Sequence, residues 1–520
     1  MDATARFFFK AMLAEAGAGL ALMYWLNASA KLKSAQRVLD AILVVAAVLG
    51  VAAFFEFGHF RYGEFRNPHD IFHYYLGAKY SDQVGYFDLY QIVALAQYEN
   101  EGPSGAVATA DMHTYGIVPA ARVIARRQEY KGRFTEEEWR EFKRDVAAIR
   151  AMTSEKRWRG YLRDLGYNAT PVWNMIGGFI ARRIPIQQTW GLMAVMSLDW
   201  IVMLLGLAAV GWAFGWRTML FAVLFVGTNF MTHFAHMKGA FLRWDWVAAL
   251  LIMLAMLKRG RYGLGGAALA YATAVRIFPL VFAFGLGAKA VAAFVRRREI
   301  RWDLVRFFAV CLVVVAVLVI LSCFSAGSTG VWQEFSEKIS LHKSQLTALT
   351  VGFTNILLWS EDAEGLSSAQ LNTHRQEHLA RLKPFYWTLV AVLLLLFILP
   401  VSGLEDYEAA AFGFCPAFLL FSPHFYYYAM LIVPFFLFAP KLNDLWRAAG
   451  LAGMFGVSVV SYILLNWWIL DYPEEVRLCF AIAVMLLMLV VYVVIVGSKE
   501  SLKMLRTVPL AEEVGVQEVA

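Results

Sequence analysis

LDAILVVAAVLGVAAFFEF, residues Leu39–Phe57, decides the fold. The run is apolar and long enough to cross the roughly 30 Å hydrocarbon core as a helix. Lys31, Lys33 and Arg37 stand at its near end, and basic residues collect on the cytoplasmic side of a membrane. The chain beyond Phe57 is therefore expected to emerge outside the cytoplasm. The whole chain fits the same solvent. Across 520 residues it is 60% hydrophobic, 15% aromatic and only 17% charged, with a mean hydropathy of +0.54. Soluble proteins run nearer about 45–50% apolar and about 25% charged. The sequence reads as an all-α polytopic membrane protein.

The formal charge of +7 does not point to nucleic acid, because the basic residues form no single field. They stand in short clusters beside apolar segments: Lys258 to Arg261, Arg296 to Arg298 with Arg301, and Lys441 with Arg447. That pattern sets topology rather than partner. The four cysteines, Cys311, Cys323, Cys415 and Cys479, lie in apolar segments at no metal-ligand spacing and read as packing residues. The N-terminus lacks the pattern of a removable signal.

Outward from Leu39–Phe57, residues 1–37 are expected to form a cytoplasmic or interfacial helix. Phe7 to Leu26 is apolar but carries Lys10 and Glu15, which favours lying at the interface. Residues 38–500 form the membrane domain, and 501–520 a disordered cytoplasmic tail. Within the domain, 59–187 is a first outer loop far longer than a usual connection. Its stretch Thr135 to Ala151 is rich in Glu, Lys and Arg and predicts a solvated helix in a cap. A second outer loop spans 324–383. Further spans are expected near 189–213, 218–235, 243–257, 263–279, 280–295, 304–323, 384–400, 408–421, 424–439, 449–469 and 478–497. With Leu39–Phe57 they make about twelve and place all the basic clusters on one side. Arg276-Ile277-Phe278-Pro279 should break the 263–295 region, and such irregular backbone is tolerated only against protein or a polar cavity.

Asn67-Pro68-His69-Asp70 has the form of a helix start, with Asn as N-cap and Pro at the first position. In an α-helix Asp70, His73, Tyr74 and Gly77 then share one face. Cations gather at the same outer side: His233, His236, Lys238 and Arg243 around one turn, Arg276 beside the Pro279 break, His342 and Lys343 in the second loop, and His424 after Pro423. A single such cation commonly only snorkels to headgroups. Together with one carboxylate they suit a phosphate-bearing donor and a hydroxyl acceptor: the cations hold the leaving phosphate and the carboxylate takes the acceptor's proton. No phosphate-cradling glycine loop, no Cys or His pair at zinc spacing and no serine elbow is evident. Nucleotide chemistry is not expected, and a divalent metal has no evident carboxylate cluster to hold it.

Several stretches resemble the GT-C superfamily of polytopic glycosyltransferases, and within it glycosyltransferase family 87, which includes polyprenyl-phosphomannose-dependent mannosyltransferases. Asp70-Ile71-Phe72-His73-Tyr74-Tyr75 followed by Gly85-Tyr86-Phe87-Asp88-Leu89-Tyr90 is similar to that family's first-loop acidic motif. Tyr167 to Trp173 resembles its Tyr-x-x-Pro-Pro segment, Lys258 through Pro279 its basic turn and Lys-x-x-Pro break, and Phe421 to Tyr426 its late Ser-Pro motif. The resemblance implies a GT-C-like bundle in a bacterial inner membrane with loop helices over an outward-facing site. It also implies a polyprenyl-phosphate sugar donor, a lipid or glycan acceptor and an inverting transfer of mannose or a similar sugar. Asp70 would be the base, with Arg276 and His424 on the phosphate side. The chain departs from the pattern where Arg276 replaces Lys and a single Pro171 stands for two. The first loop is also longer, so that 100–165 is left for a special acceptor or a membrane-protein partner. Two other classes compete. A secondary transporter would use the broken helix with Asp199, Asp245 and Arg276, and a non-catalytic subunit of a larger assembly would use the charged loop for contact.

Overall fold

The computed structural model describes residues 2–30, 33–60, 65–232, 238–343, 346, 349–360, 366–467 and 474–507. These residues are nearly all helical. A two-stranded antiparallel hairpin, Thr109–Ala110 with Ile117–Val118, is the exception in the cap.

Eight helices are long and apolar enough to cross a membrane: Ala3–Ala30, Ala35–Phe54, Thr189–Phe214, Phe278–Arg296, Trp302–Ser325, Ala369–Val401, Leu445–Leu465 and Val476–Met504. Large apolar side chains such as Leu204, Leu312, Phe324 and Met488 stand exposed on them, as expected of surfaces that face lipid. The five other expected spans are shorter pieces. Trp216–Thr228, Asp245–Lys258 and Tyr262–Arg276 hold 13, 14 and 15 residues. Asp406–Phe412 and Phe414–Leu420 meet at Gly413, and 3₁₀ turns carry the chain from Phe425 to Lys441. Hydropathy alone could not separate the two kinds. Asp245–Lys258 is buried on nearly every side, so protein rather than lipid surrounds it.

The N-terminal helix also differs from expectation. Ala3–Ala30 packs along Leu445–Trp467 and Lys33–Phe54, close enough that a Cβ on Gly17 would meet the Phe455 ring at 2.7 Å. Lys10, which suggested an interfacial helix, is buried against Glu56. Ion pairing thus lets a charged residue enter the bundle.

The basic clusters meet at one end of the bundle. Lys258 and Lys441 both reach Glu405, at 2.9 and 2.8 Å; Lys441 and Arg447 reach Glu408, at 2.8 and 3.2 Å; and Arg301 reaches Asp406 at 2.8 Å. The expected break is present as well. Tyr262–Arg276 ends at Ile277, whose φ of 58° and ψ of −60° turn the chain into the 3₁₀ stretch Phe278–Ala283. Gly266 lets Tyr262–Arg276 lie against Trp302–Ser325, since a Cβ there would stand 2.2 Å from the Phe307 carbonyl.

The first loop folds into a packed helical cap. Thr135 and Glu138 close a capping box at the start of Glu136–Ala151. That helix is solvated on one face only, because Trp139, Phe142, Asp145, Val146 and Ile149 are buried. It packs on Leu89–Glu101, with the Trp139 indole N–H donating to Glu99 at 2.9 Å. In the second loop, Gly330–Lys343 forms a helix, and the expected 384–400 span begins far earlier, as part of Ser368–Leu396.

Candidate active site

Asn67 caps the helix as its sequence predicts. Its Oδ1 accepts from the Asp70 N–H and its Nδ2 donates to Asp70 Oδ2, both at 3.3 Å, with Pro68 in the first turn. The next six residues, Ile71–Leu76, wind as a π-helix. This wider i→i+5 turn decides the site. It keeps Tyr74 close to the line of Asp70 and swings His73 off it, so the expected common face divides in two.

On the first face, Asp70 is 1% exposed and meets Arg243, whose Nε lies 3.7 Å from Asp70 Oδ1. The Arg243 guanidinium stacks over the Tyr74 ring at 4.0 Å, and that of Arg276 faces the same ring at 5.7 Å. Both arginines sit at junctions. Arg243 comes directly after Leu242, a residue with φ of +50°, and Arg276 ends its helix before the break. Trp173 ties these pieces together. Its indole N–H donates to the Leu242 carbonyl at 3.2 Å, and its ring packs edge-on against Tyr74 at 5.2 Å. Two more carboxylates complete the wall. Asp199 accepts from the Trp244 N–H at 2.9 Å, and Asp245 accepts from the Tyr271 hydroxyl at 3.0 Å. Arg243 Nη1, Arg276 Nη2 and Asp199 Oδ2 are buried with no hydrogen-bond partner among the described residues. Buried polar groups usually find a hydrogen-bond partner; Arg447 Nη2 and Glu408 Oε1, an ion pair at the other end of the bundle, share the condition. Beside Asp199 lies an apolar cavity of about 180 Å³ lined by Gly50, Phe54, Trp200, Leu204 and Trp244.

The second face looks into the cap. His73 Nδ1 lies 2.8 Å from the His69 carbonyl, and its Nε2 lies 2.7 Å from the Tyr90 hydroxyl. His69 Nε2 reaches Asp164 Oδ2 at 2.9 Å. Burial, with the neighbouring His69, pushes His73 down to about 3. Burial alone would raise the Asp164 carboxyl, but the hydrogen bond from His69 and attraction to His73 hold it well below the usual range. Lys338 donates to the Leu165 carbonyl at 2.9 Å and is lowered by burial to about 8. His342 and His424 face the same group; burial lowers both, His342 to about 4. Burial thus disfavours the charged form of His73, His342 and His424.

Asp70, Tyr74, Arg243 and Arg276 are thus brought together, while His73, His342 and His424 join the second cluster. Lys238 is engaged elsewhere, donating to Glu56 Oε1 at 2.8 Å. Lys343 is exposed at the end of Gly330–Lys343. His236, like His233, lies outside the described residues. Sequence reasoning passed over the roles of Trp173 and Tyr271 and the pairing of His69 with Asp164. The four-residue spacing of His69 and His73 was the available signal for the last. No family model, curated protein or solved structure matches the chain.

Proposed function

We propose that this protein is a membrane glycosyltransferase of the GT-C kind, moving a sugar from a polyprenyl phosphate to a lipid or glycan hydroxyl. The observation that carries the reading is a buried carboxylate, Asp70, beside the buried Arg243, with the half-buried Arg276 facing the same Tyr74 ring; Arg243 Nη1 and Arg276 Nη2 are buried atoms with no partner among the described residues. The acceptor O–H gives its proton to Asp70 as its oxygen attacks the anomeric carbon. The bond from that carbon to the phosphate oxygen breaks, and its electron pair leaves with the polyprenyl phosphate. Arg243 and Arg276 offer charge-assisted donors to that phosphate. A single displacement inverts the anomeric centre. The apolar cavity beside Asp199 suits the first isoprene units of the donor. No nucleotide takes part, and the chemistry at Asp70 calls on no metal. In this reading the eight long helices and the shorter apolar ones together give about twelve crossings, and the cap faces the exterior of a bacterial plasma membrane.

The test is transfer of labelled sugar from polyprenyl-phosphate donors into membrane lipids or glycans, with wild type and Asp70→Asn compared. Transfer that disappears in a folded Asp70→Asn protein supports the reading. Equal transfer by both removes Asp70 from the mechanism. Absence of transfer by wild type across several donor sugars favours transport, for which the broken helix at Ile277 and the buried Asp199 and Asp245 are the parts.

A further inference from the structure

His69, His73 and Asp164 place three metal-ligating atoms within 4.8 Å of one another, behind the helix turn that carries Asp70. We infer that this cluster binds a divalent transition metal and fixes the end of the cap to the Asp70 helix.

Four features support the inference. The distances fit a small ion. With bonds of about 2.0–2.1 Å, neighbouring ligand atoms of a tetrahedral site lie about 3.3 Å apart; Asp164 Oδ2 stands 2.9 Å from His69 Nε2 and 3.7 Å from His73 Nε2. The tautomer of His73 is set for ligation. Its Nδ1 can only donate to the His69 carbonyl at 2.8 Å, so Nε2 carries the lone pair, which accepts from the Tyr90 hydroxyl at 2.7 Å and lies 3.7 Å from Asp164 Oδ2. A backbone carbonyl behind a metal-binding imidazole is the usual outer support. The ligand set also selects the ion, because two imidazoles and one carboxylate suit zinc and its neighbours better than magnesium or calcium. Finally there is a way in. His73 is buried, but the Asp164 side chain keeps 42% of its surface accessible, and the Tyr90 hydroxyl stands 2.7 Å from His73 Nε2 as a further oxygen. The cations facing the cluster oppose an ion. Of these, Lys338 is drawn onto the Leu165 carbonyl and Arg243 onto Asp70, while His342 and His424 are lowered toward neutrality.

Asp164 closes the cap ninety-five residues after His69. An ion held by both would therefore fix the register of Asp70 from behind, as a positioning device outside the reacting centre. Metal content reports on the site without any turnover, so its fate is independent of the transferase reading.

The experiment uses the full chain without a polyhistidine tag, purified in detergent, stripped with a chelator and titrated with Zn²⁺ alone. Bound metal and the thermal midpoint are both measured. The expected result is one ion per chain with a raised midpoint. His73→Ala and Asp164→Asn should each weaken binding at least tenfold. His69→Gln separates ligation from folding: its amide can still donate to Asp164, so the stripped variant should melt like stripped wild type while losing the zinc-induced rise. Tyr90→Phe should retain the ion. Zinc uptake no greater than a detergent blank, or equal uptake by the His69→Gln and His73→Ala proteins, would overturn the inference and leave the hydrogen bonds as the cluster's whole purpose.

Discussion

Two buried cations meet the segment from Asn67 to Lys79, and their surroundings are opposite in kind. Lys79 Nζ reaches Glu141 and Asp145, each at 2.7 Å, and Asp145 also accepts from the Tyr80 hydroxyl at 2.7 Å and from Gln187. Every buried side-chain polar atom in that group has a partner. Arg243 faces Asp70 at 3.7 Å across a looser contact, with Arg276 alongside, and each arginine keeps a buried nitrogen without a partner among the described residues. A saturated cluster holds structure. An unsaturated one of the same residue types, kept at the cost of desolvation, is what the proposed transfer would use.

The contrast can be broken most forcefully at Asp70. Asp70→Asn should reduce transfer by about 10²–10⁴-fold, the range for a lost general base, in a protein that still folds in detergent. At the other cluster Lys79→Met should do the reverse. It leaves buried Asp145 without its cation and should cost about 3–5 kcal/mol of stability, measured by denaturant titration, while turnover per folded molecule holds. Inactivity with normal stability in this variant would erase the distinction. Arg276→Gln should sharpen it. Loss of hydrogen bonds to a charged group worth about 1.5–3 kcal/mol should lower kcat/KM for the donor by about 10–100-fold, without loss of fold. The smallest effect is expected at Thr135→Ala, which removes the cap of Glu136–Ala151 and should cost about 1 kcal/mol. It would be seen as faster amide exchange in that helix with transfer intact.

Some of this was legible in the sequence because its causes are local. Asn67 and Pro68 specify a helix start through their own backbone chemistry, and Pro279 specifies a break. Those signals single out Asp70 and Arg276 as candidates. The orientation of His73 was not, because the π turn over Ile71–Leu76 has no mark in residue type. The capture of Lys238 by Glu56 and the pairing of His69 with Asp164 join residues 182 and 95 positions apart, which no spacing rule reaches. Which of the expected spans form long helices was not legible for a related reason. Hydropathy reports whether a segment avoids water, and a helix enclosed by protein avoids it as well as one enclosed by lipid.

That enclosure has a consequence for how the chain is made. Asp245–Lys258 is 14 residues long and opens on an aspartate, so presented alone to the insertion machinery it is a weak signal. Thr189–Phe214 on one side and Tyr262–Arg276 on the other both pack against it, and the second is synthesised only afterwards. The helix beside Arg243 and Arg276 therefore depends on a neighbour not yet translated. Assembly of the polar centre is tied to the completion of the jacket around it, and a nascent chain stalled before Arg276 would expose Asp245 to lipid.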